Sequence, residues 1–290
     1  MKIADYGEDR LVAELTRGLP HVGDDCAVVG GPRDRKWRLL KTDAILEGVH
    51  FLPTHAPRQI GWKALARTIS DIAAMGGTPR EALVTLALPP EREVAWVKAL
   101  YAGLRKCAQQ FGVEIVGGET SRSPGPLFIS IALTGTVARK HCVKRGGGKN
   151  GDTLFVTGRL GGSLAGKHLT FQPRVAEAQW LAQNFAIRAM MDLSDGLGSD
   201  LPRLARASGL GWELFEEQLP LAKGCTPQNA IRDGEDYELL FALAPQHGAA
   251  LKSAWHRQFP KLPLTEIGFL KTTDNRNPQL LRGYDHFPQH

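Results

Sequence analysis

The residues of this sequence best suited to chemistry are carboxylates set against glycines. They occur as Gly23-Asp24-Asp25, Thr42-Asp43, Ser70-Asp71 ahead of Gly76-Gly77, Gly117-Gly118-Glu119-Thr120, Asp192-Leu193-Ser194-Asp195-Gly196 and Gly234-Glu235-Asp236. An acid on a solvated face normally sits in a polar run. Several of these instead follow apolar residues, as Met190-Met191 before Asp192 and Ile115-Val116 before Gly117. The pattern predicts carboxylates emerging at strand ends beside glycine turns, where sites collect in mixed folds. Converging carboxylates repel one another and are costly to desolvate without a counter-charge. A divalent cation offsets that repulsion, and oxygen ligands from Asp, Glu, Thr and Ser suit Mg²⁺, which keeps waters and bridges to phosphates. Glycines let a phosphate approach backbone N–H donors closely. One such cluster alone reads as a cap or a turn; their recurrence along one chain points to a Mg-nucleotide enzyme.

Other chemistries fit less well. The stretch from Gly161 to Lys167-His168 follows a strand and nearly spells the P-loop GxxxxGK[ST], but His168 stands where a hydroxyl should ligate Mg²⁺, so a plain glycine turn is expected. Cys26, Cys107, Cys142 and Cys225 lie far apart with no CxxC pair, which excludes zinc spacing and suits reduced thiols in the cytoplasm. Cys26 beside two aspartates reads as a packing residue, because acidic neighbours disfavour a thiolate. No Ser-His-Asp or Cys-His set is apparent.

These groups must be positioned by a chain of 290 residues, long enough for two domains. Lys plus Arg exceeds Asp plus Glu by 36 − 30 = 6, which suits an anionic small substrate. The basic residues are scattered without interleaved aromatics, so no nucleic-acid partner is expected. No apolar run approaches the ~18 residues of a membrane span, and the first residues lack a signal-peptide layout, so no membrane partner is expected either. Helices are predicted at 8–18, 58–75, 91–111, after Gly196 and at 246–259; strands are predicted at 26–29, 38–42, 83–88, 113–116, 128–137, 153–157 and 239–243. The clearest helix, 91–111, repeats Val94, Val97, Tyr101, Leu104, Ala108 and Phe111 at three-four spacing and stops at Gly112. The glycine-rich stretch 144–151 reads as the crossing between domains 1–143 and 144–290. The fold class expected is a two-domain α+β or α/β protein.

GDDCAVV (23–29), TDAILEGVHF (42–51), SDIAAMGG (70–77), IVGGET (115–120), the Lys144-Arg145-Gly146 turn, DLSDGL (192–197), GEDYELLF (234–241) and the tail GYDHF (283–287) span almost the whole chain. In this order they resemble the thiamine-monophosphate kinase family of the aminoimidazole-ribotide-synthetase-like superfamily. The resemblance implies ATP-dependent phosphorylation of thiamine monophosphate to thiamine diphosphate, with ATP as co-substrate. It further implies a homodimer, a dimerising N-terminal mixed-sheet domain, a C-terminal α/β domain and an active site between them. Carried over by motif, Asp25, Thr42, Asp43, Asp71, Asp192 and Asp195 resemble ligands of several Mg²⁺ ions. Gly118, Glu119, Arg145 and Ser194 fall where the family contacts ATP or its metal, and His50 and Glu235 resemble substrate contacts. Such a site needs in-line positioning and neutralised oxygens more than a covalent nucleophile.

Three departures from the family pattern bear on the site. Glu119 stands where the family has Asp and reaches one methylene further. Lys41 replaces a small residue before Thr42-Asp43; it either offers only its backbone oxygen or stands in electrostatically for a metal ion. The region after Gly166 is short, with 167–175 arriving early. The alternatives these leave open are a superfamily member with another substrate and a non-catalytic nucleotide-binding homologue.

Overall fold

The structure is a computed structural model that describes residues 3–272 together with 283 and 284. The chain forms two compact units. The first comprises 28–143 and 165–186; the second comprises the chain up to 27, residues 144–164 and the chain from 187 onward. Two segments thus cross the 143/144 point expected from the sequence. The short helices α1 (Ile3–Tyr6) and α2 (Glu8–Leu15) group with the later half, and residues 165–186 group with the earlier one.

The first unit is built on a five-stranded sheet of β1 (Ala27–Val29), β2 (Lys36–Leu46), β3 (Thr78–Leu88), β4 (Glu114–Arg122) and β5 (Phe128–Ala138) in the order β1-β2-β5-β3-β4. Strand β5 runs antiparallel to β2 and β3, whereas β3 and β4 are parallel, so the sheet is mixed as expected. Helices α3 (Pro57–Ala74) and α4 (Val94–Phe111) cover one face, joined by α5 (Val175–Asn184). Strand alternation turns Leu39, Val84, Leu86, Ile129, Ile131 and Leu133 into this core. Helix α4 follows its predicted stripe, burying Leu100, Leu104 and Cys107, and Gly112 ends it in the left-handed region at φ 66°. Burial pushes the Cys107 thiol well above its ordinary range, leaving an inert packing residue. Helix α3 is buried on all sides, with nearly every residue from Ile60 to Ala74 inside the core. It meets α4 backbone to backbone, for a Cβ on Gly61 would lie 2.0 Å from the Leu100 carbonyl oxygen and one on Gly103 2.0 Å from that of Arg58. The opposite sheet face stays open, with Leu40, Leu83 and Phe128 exposed.

Several acids do not emerge at strand ends. Thr42 and Asp43 lie in the middle of β2, paired with Ala132 and Ile131. Gly117 to Thr120 lie inside β4 rather than in a turn. The glycine is there for proximity, since a Cβ on Gly118 would sit 1.8 Å from the Val84 oxygen of the neighbouring strand. Asp71 projects from α3.

The second unit has its own five-stranded sheet of β6 (Thr153–Thr157), β7 (Ala189–Asp192), β8 (Gly211–Leu214), β9 (Leu239–Leu243) and β10 (Leu264–Lys271) in the order β7-β9-β6-β10-β8. Every pairing is antiparallel, the α+β form of the expected fold class. Helices α6 (Leu197–Ala207), α7 (Pro227–Arg232) and α8 (Gly248–Gln258) complete it. Leu154, Val156, Met191, Leu201, Leu204 and Leu240 form its core. Strand β10 occupies what reads in the sequence as a short tail. A register shift between Glu266 and Gly268 breaks its alternation, and a Cβ on Gly268 would lie 1.9 Å from the Glu213 oxygen. No helix among the described residues is long and apolar enough to cross a membrane.

Candidate active site

In the second unit the buried strand β7 delivers Asp192 at its end, and a loop over 193–196 turns into α6 at Gly196, which holds φ 90°. Asp192 and Asp25 are both buried, and one carboxylate oxygen of each lies within 4.8 Å of the other. Asp25 Oδ1 accepts a hydrogen bond of 2.6 Å from the Arg145 guanidinium, whereas its Oδ2 is buried without a hydrogen-bond partner. The Arg145 backbone N–H donates to Asp24 Oδ1 at 2.8 Å, which fixes the chain where it enters this unit. The buried Asp25 carboxylate keeps one oxygen unsatisfied, and the all-oxygen donor set of the two acids fits a hard divalent cation.

The loop after Asp192 is a lattice of backbone contacts. The Glu235 N–H donates to the Ser194 carbonyl at 2.7 Å, and the Tyr284 N–H donates to the Asp195 carbonyl at 2.9 Å. Gly283 sits so close that a Cβ would lie 2.2 Å from that Asp195 oxygen. Residues 285–287 of the tail motif lie outside the described residues. Arg203 pairs with Asp195 and reaches Asp200 at 3.0 Å, while Asp200 also accepts from the Asp195 N–H. Burial first, and the Asp195 charge second, push the Asp200 carboxyl up to about 7, with Arg203 opposing. Glu235 and Tyr237 adopt φ of 65° and 51°, a region that side chains larger than glycine rarely occupy, and such backbone collects at functional sites.

The glycine loop after β6 is no phosphate cradle. The Gly161 N–H donates to the Asp236 carboxylate at 3.0 Å and the Gly162 N–H to Asp233 Oδ2 at 2.9 Å. Acids of the chain already occupy the donors a P-loop would turn to phosphate. Lys167 lies in a single 3-10 turn, and the next α-helix begins only at Val175. With ATP as the co-substrate that the sequence resemblance implies, Lys167→Ala is expected to change its KM by less than about twofold, whereas a P-loop lysine would cost orders of magnitude. Initial-rate measurements at varied ATP check this, and a loss of a hundredfold or more would restore the P-loop assignment.

In the first unit the candidate residues divide between the two faces of the sheet. Asp43 and Lys41 point toward α3, where Asp43 Oδ2 lies 3.1 Å from Arg67 Nε and Lys41 Nζ lies 2.9 Å from Asp71 Oδ1. Thr42 points to the open face, its hydroxyl 3.5 Å from that of Ser130. Glu119 pairs with Thr85, and Thr85 with Ser130, so Glu119 shares the open face with Thr42, and Gly118 lies opposite Val84 on the covered side. Thr42 and Asp43 therefore cannot offer side chains to one ion; beside Asp43, Thr42 has only its main-chain oxygen. His50 accepts the Leu46 N–H at Nδ1 (3.1 Å), so its neutral ring carries the proton on Nε2. The fully buried Lys63 donates to the His50 carbonyl.

Lys63 and Arg67 are functional candidates that the sequence reading missed. Their signal was present: Lys63, Arg67 and Asp71 recur every four residues through an otherwise apolar helix, which puts a charged stripe on one side of it. Such a stripe inside a core is expensive, and each member is held by a partner: the His50 carbonyl, Asp43 and Lys41 respectively.

Family models place the chain in a class. The N-terminal domain of AIR synthase related proteins matches residues 23–137, and the C-terminal domain of the same proteins matches 129–268. A thiamine-monophosphate kinase of Rhodopirellula baltica is 42% identical over 275 residues, covering 87% of this chain and 85% of its own length. That of Aquifex aeolicus is 35% identical over 300 residues and 92% of each chain. A solved structure, AaThiL complexed with AMPPCP and TMP, superposes with a TM-score of 0.86 at 33% identity over 99% of both chains. The chain belongs to the thiamine-monophosphate kinase family and is a phosphotransferase of that class.

Proposed function

We propose that the chain transfers the γ-phosphoryl group of ATP to thiamine monophosphate in one Mg²⁺-dependent, in-line step, giving thiamine diphosphate and ADP. The observation that carries this is the buried Asp25–Asp192 pair, with Asp25 Oδ2 unsatisfied beside the Arg145 guanidinium. A phosphate oxygen of thiamine monophosphate forms the new bond to the γ-phosphorus as the bond to the β,γ-bridging oxygen breaks, so no side chain has to act as a nucleophile. Bound Mg²⁺ supplies charge neutralisation on the phosphate oxygens. Asp25, Asp192 and Asp195 would hold it in the second unit, and Asp43, Asp71, Thr42 and Glu119 in the first. The division of the last four between opposite sheet faces supports more than one ion.

Arg145, Ser194, Gly118 and Glu119 would contact ATP. The guanidinium of Arg145, oriented by Asp25, matches phosphate geometry. His50, with its N–H on Nε2, would donate to the acceptor phosphate, and Glu235, held by the Ser194 carbonyl, would face the cationic thiamine. A second copy of the chain would cover the open sheet face, whose exposed Leu40, Leu83 and Phe128 favour a homodimer. The four cysteines, none of them in a disulfide, support a cytoplasmic setting.

Stereochemistry at phosphorus tests the single in-line step. With ATP made chiral at the γ-phosphorus by oxygen isotopes, the product should show inversion. Retention would mean a phosphorylated enzyme intermediate and would contradict direct transfer.

A further inference from the structure

We infer that Lys41 is a built-in counter-ion for Asp71 that limits how many divalent cations this chain takes up, an inference that rests on the metal-dependent reading above. Strand β2 puts Lys41 and Asp43 two residues apart on the side facing α3, and α3 presents Arg67 and Asp71 four residues apart. They form two ion pairs, Lys41 Nζ to Asp71 Oδ1 at 2.9 Å and Arg67 Nε to Asp43 Oδ2 at 3.1 Å. Charge alternates along both elements and the four sum to zero. The side chains are only 12–26% exposed, so solvent and salt screen these pairs less than surface pairs.

The two cations differ in what they permit. The Arg67 guanidinium also reaches the Ala44 carbonyl, at 3.5 Å, so it meets the strand at two points. Lys41 ends in an ammonium on a flexible stem that can swing away. A divalent ion at Asp71 competes with that ammonium, because both draw on the charge of the same carboxylate. Asp25 is also paired through one oxygen, Oδ1 with Arg145 at 2.6 Å, but keeps a buried Oδ2 with no hydrogen-bond partner. Metal uptake at Asp71 thus has to contend with Lys41.

Direct counting of bound Mn²⁺ tests this without reference to turnover. Free Mn²⁺ is followed by electron paramagnetic resonance as it is titrated into the full chain with a non-hydrolysable ATP analogue. Lys41→Ser and Lys41→Met, the latter keeping the stem's apolar packing, should each bind one further Mn²⁺ or tighten the weakest site by about tenfold, the equivalent of one displaced, partly screened ion pair. Adding Asp71→Asn to Lys41→Met should abolish the gain. Unchanged number and affinity in both Lys41 variants, or a gain that survives Asp71→Asn, would overturn the inference. Asp192→Asn separates the role of Lys41 from metal dependence itself. If it removes a Mn²⁺ while the Lys41 variants are silent, only the role of Lys41 falls; if it removes none, the metal-dependent reading falls and takes this inference with it.

Discussion

Under the proposed Mg²⁺-dependent transfer, Asp192→Asn is expected to lower kcat by about three orders of magnitude, since it would remove a charged metal ligand worth several kcal/mol and each 1.36 kcal/mol is tenfold in rate. The substitution keeps the size of the side chain, and Asp192 ends a strand whose four residues are all buried, so the local packing has little reason to change. It also removes a carboxylate that has an oxygen within 4.8 Å of one of Asp25. The metal-free protein should therefore unfold at the same urea midpoint as the parent or a slightly higher one, because a repulsion has been relieved. Single-turnover rates at saturating Mg²⁺ and urea titrations in chelator make the comparison. Near-normal turnover would remove Asp192 from the metal site, and lost turnover with a sharply lowered midpoint would assign it a structural role instead.

Gly61→Ala should destabilise the first unit severely, although it adds only one methyl group. The new Cβ would stand 2.0 Å from the Leu100 carbonyl oxygen and 3.0 Å from the Leu104 nitrogen, both backbone atoms of α4. No side-chain rotation relieves such a clash, so α3 and α4 must separate along a shared core. A cost of about 3 kcal/mol is expected, the upper part of the range for overpacking. Gly125→Ala is the control, because nothing lies within 4 Å of its Cβ position. Thermal unfolding of the two variants beside the parent distinguishes them. Equal midpoints for Gly61→Ala and Gly125→Ala would mean that the two helices do not pack this closely. Activity in Gly61→Ala should fall as well, since α3 carries Lys63, Arg67 and Asp71.

What the sequence revealed depended on how local the physics was. Helix α4 was legible because its three-four stripe and terminal glycine are properties of one segment, and β6 and β9 because short apolar runs between turns leave few alternatives. The Gly117-Gly118 pair misled because glycine marks both turns and close backbone approach; only the position of the Val84 carbonyl shows that the second applies. Asp43 misled in a related way. Its neighbours Ala44-Ile45-Leu46 continue β2, so the acid sits mid-strand and is tolerated because Arg67 reaches it from α3. The grouping of residues up to 27 with the later half has no sequence signal, being a long-range contact made by short, weakly apolar elements. For the candidate site, motif and residue chemistry singled out the acids, but not which face of the sheet each occupies. Strand register supplied that, and it separates Thr42 from Asp43.

The central claim is tested most directly by incubating the purified chain with ATP, Mg²⁺ and thiamine monophosphate and separating the thiamine phosphates by chromatography. The account predicts thiamine diphosphate and ADP appearing in equal amounts, with formation stopped by excess chelator and restored by added Mg²⁺. ADP without thiamine diphosphate, or no conversion of thiamine monophosphate by folded protein at saturating ATP and Mg²⁺, would contradict it.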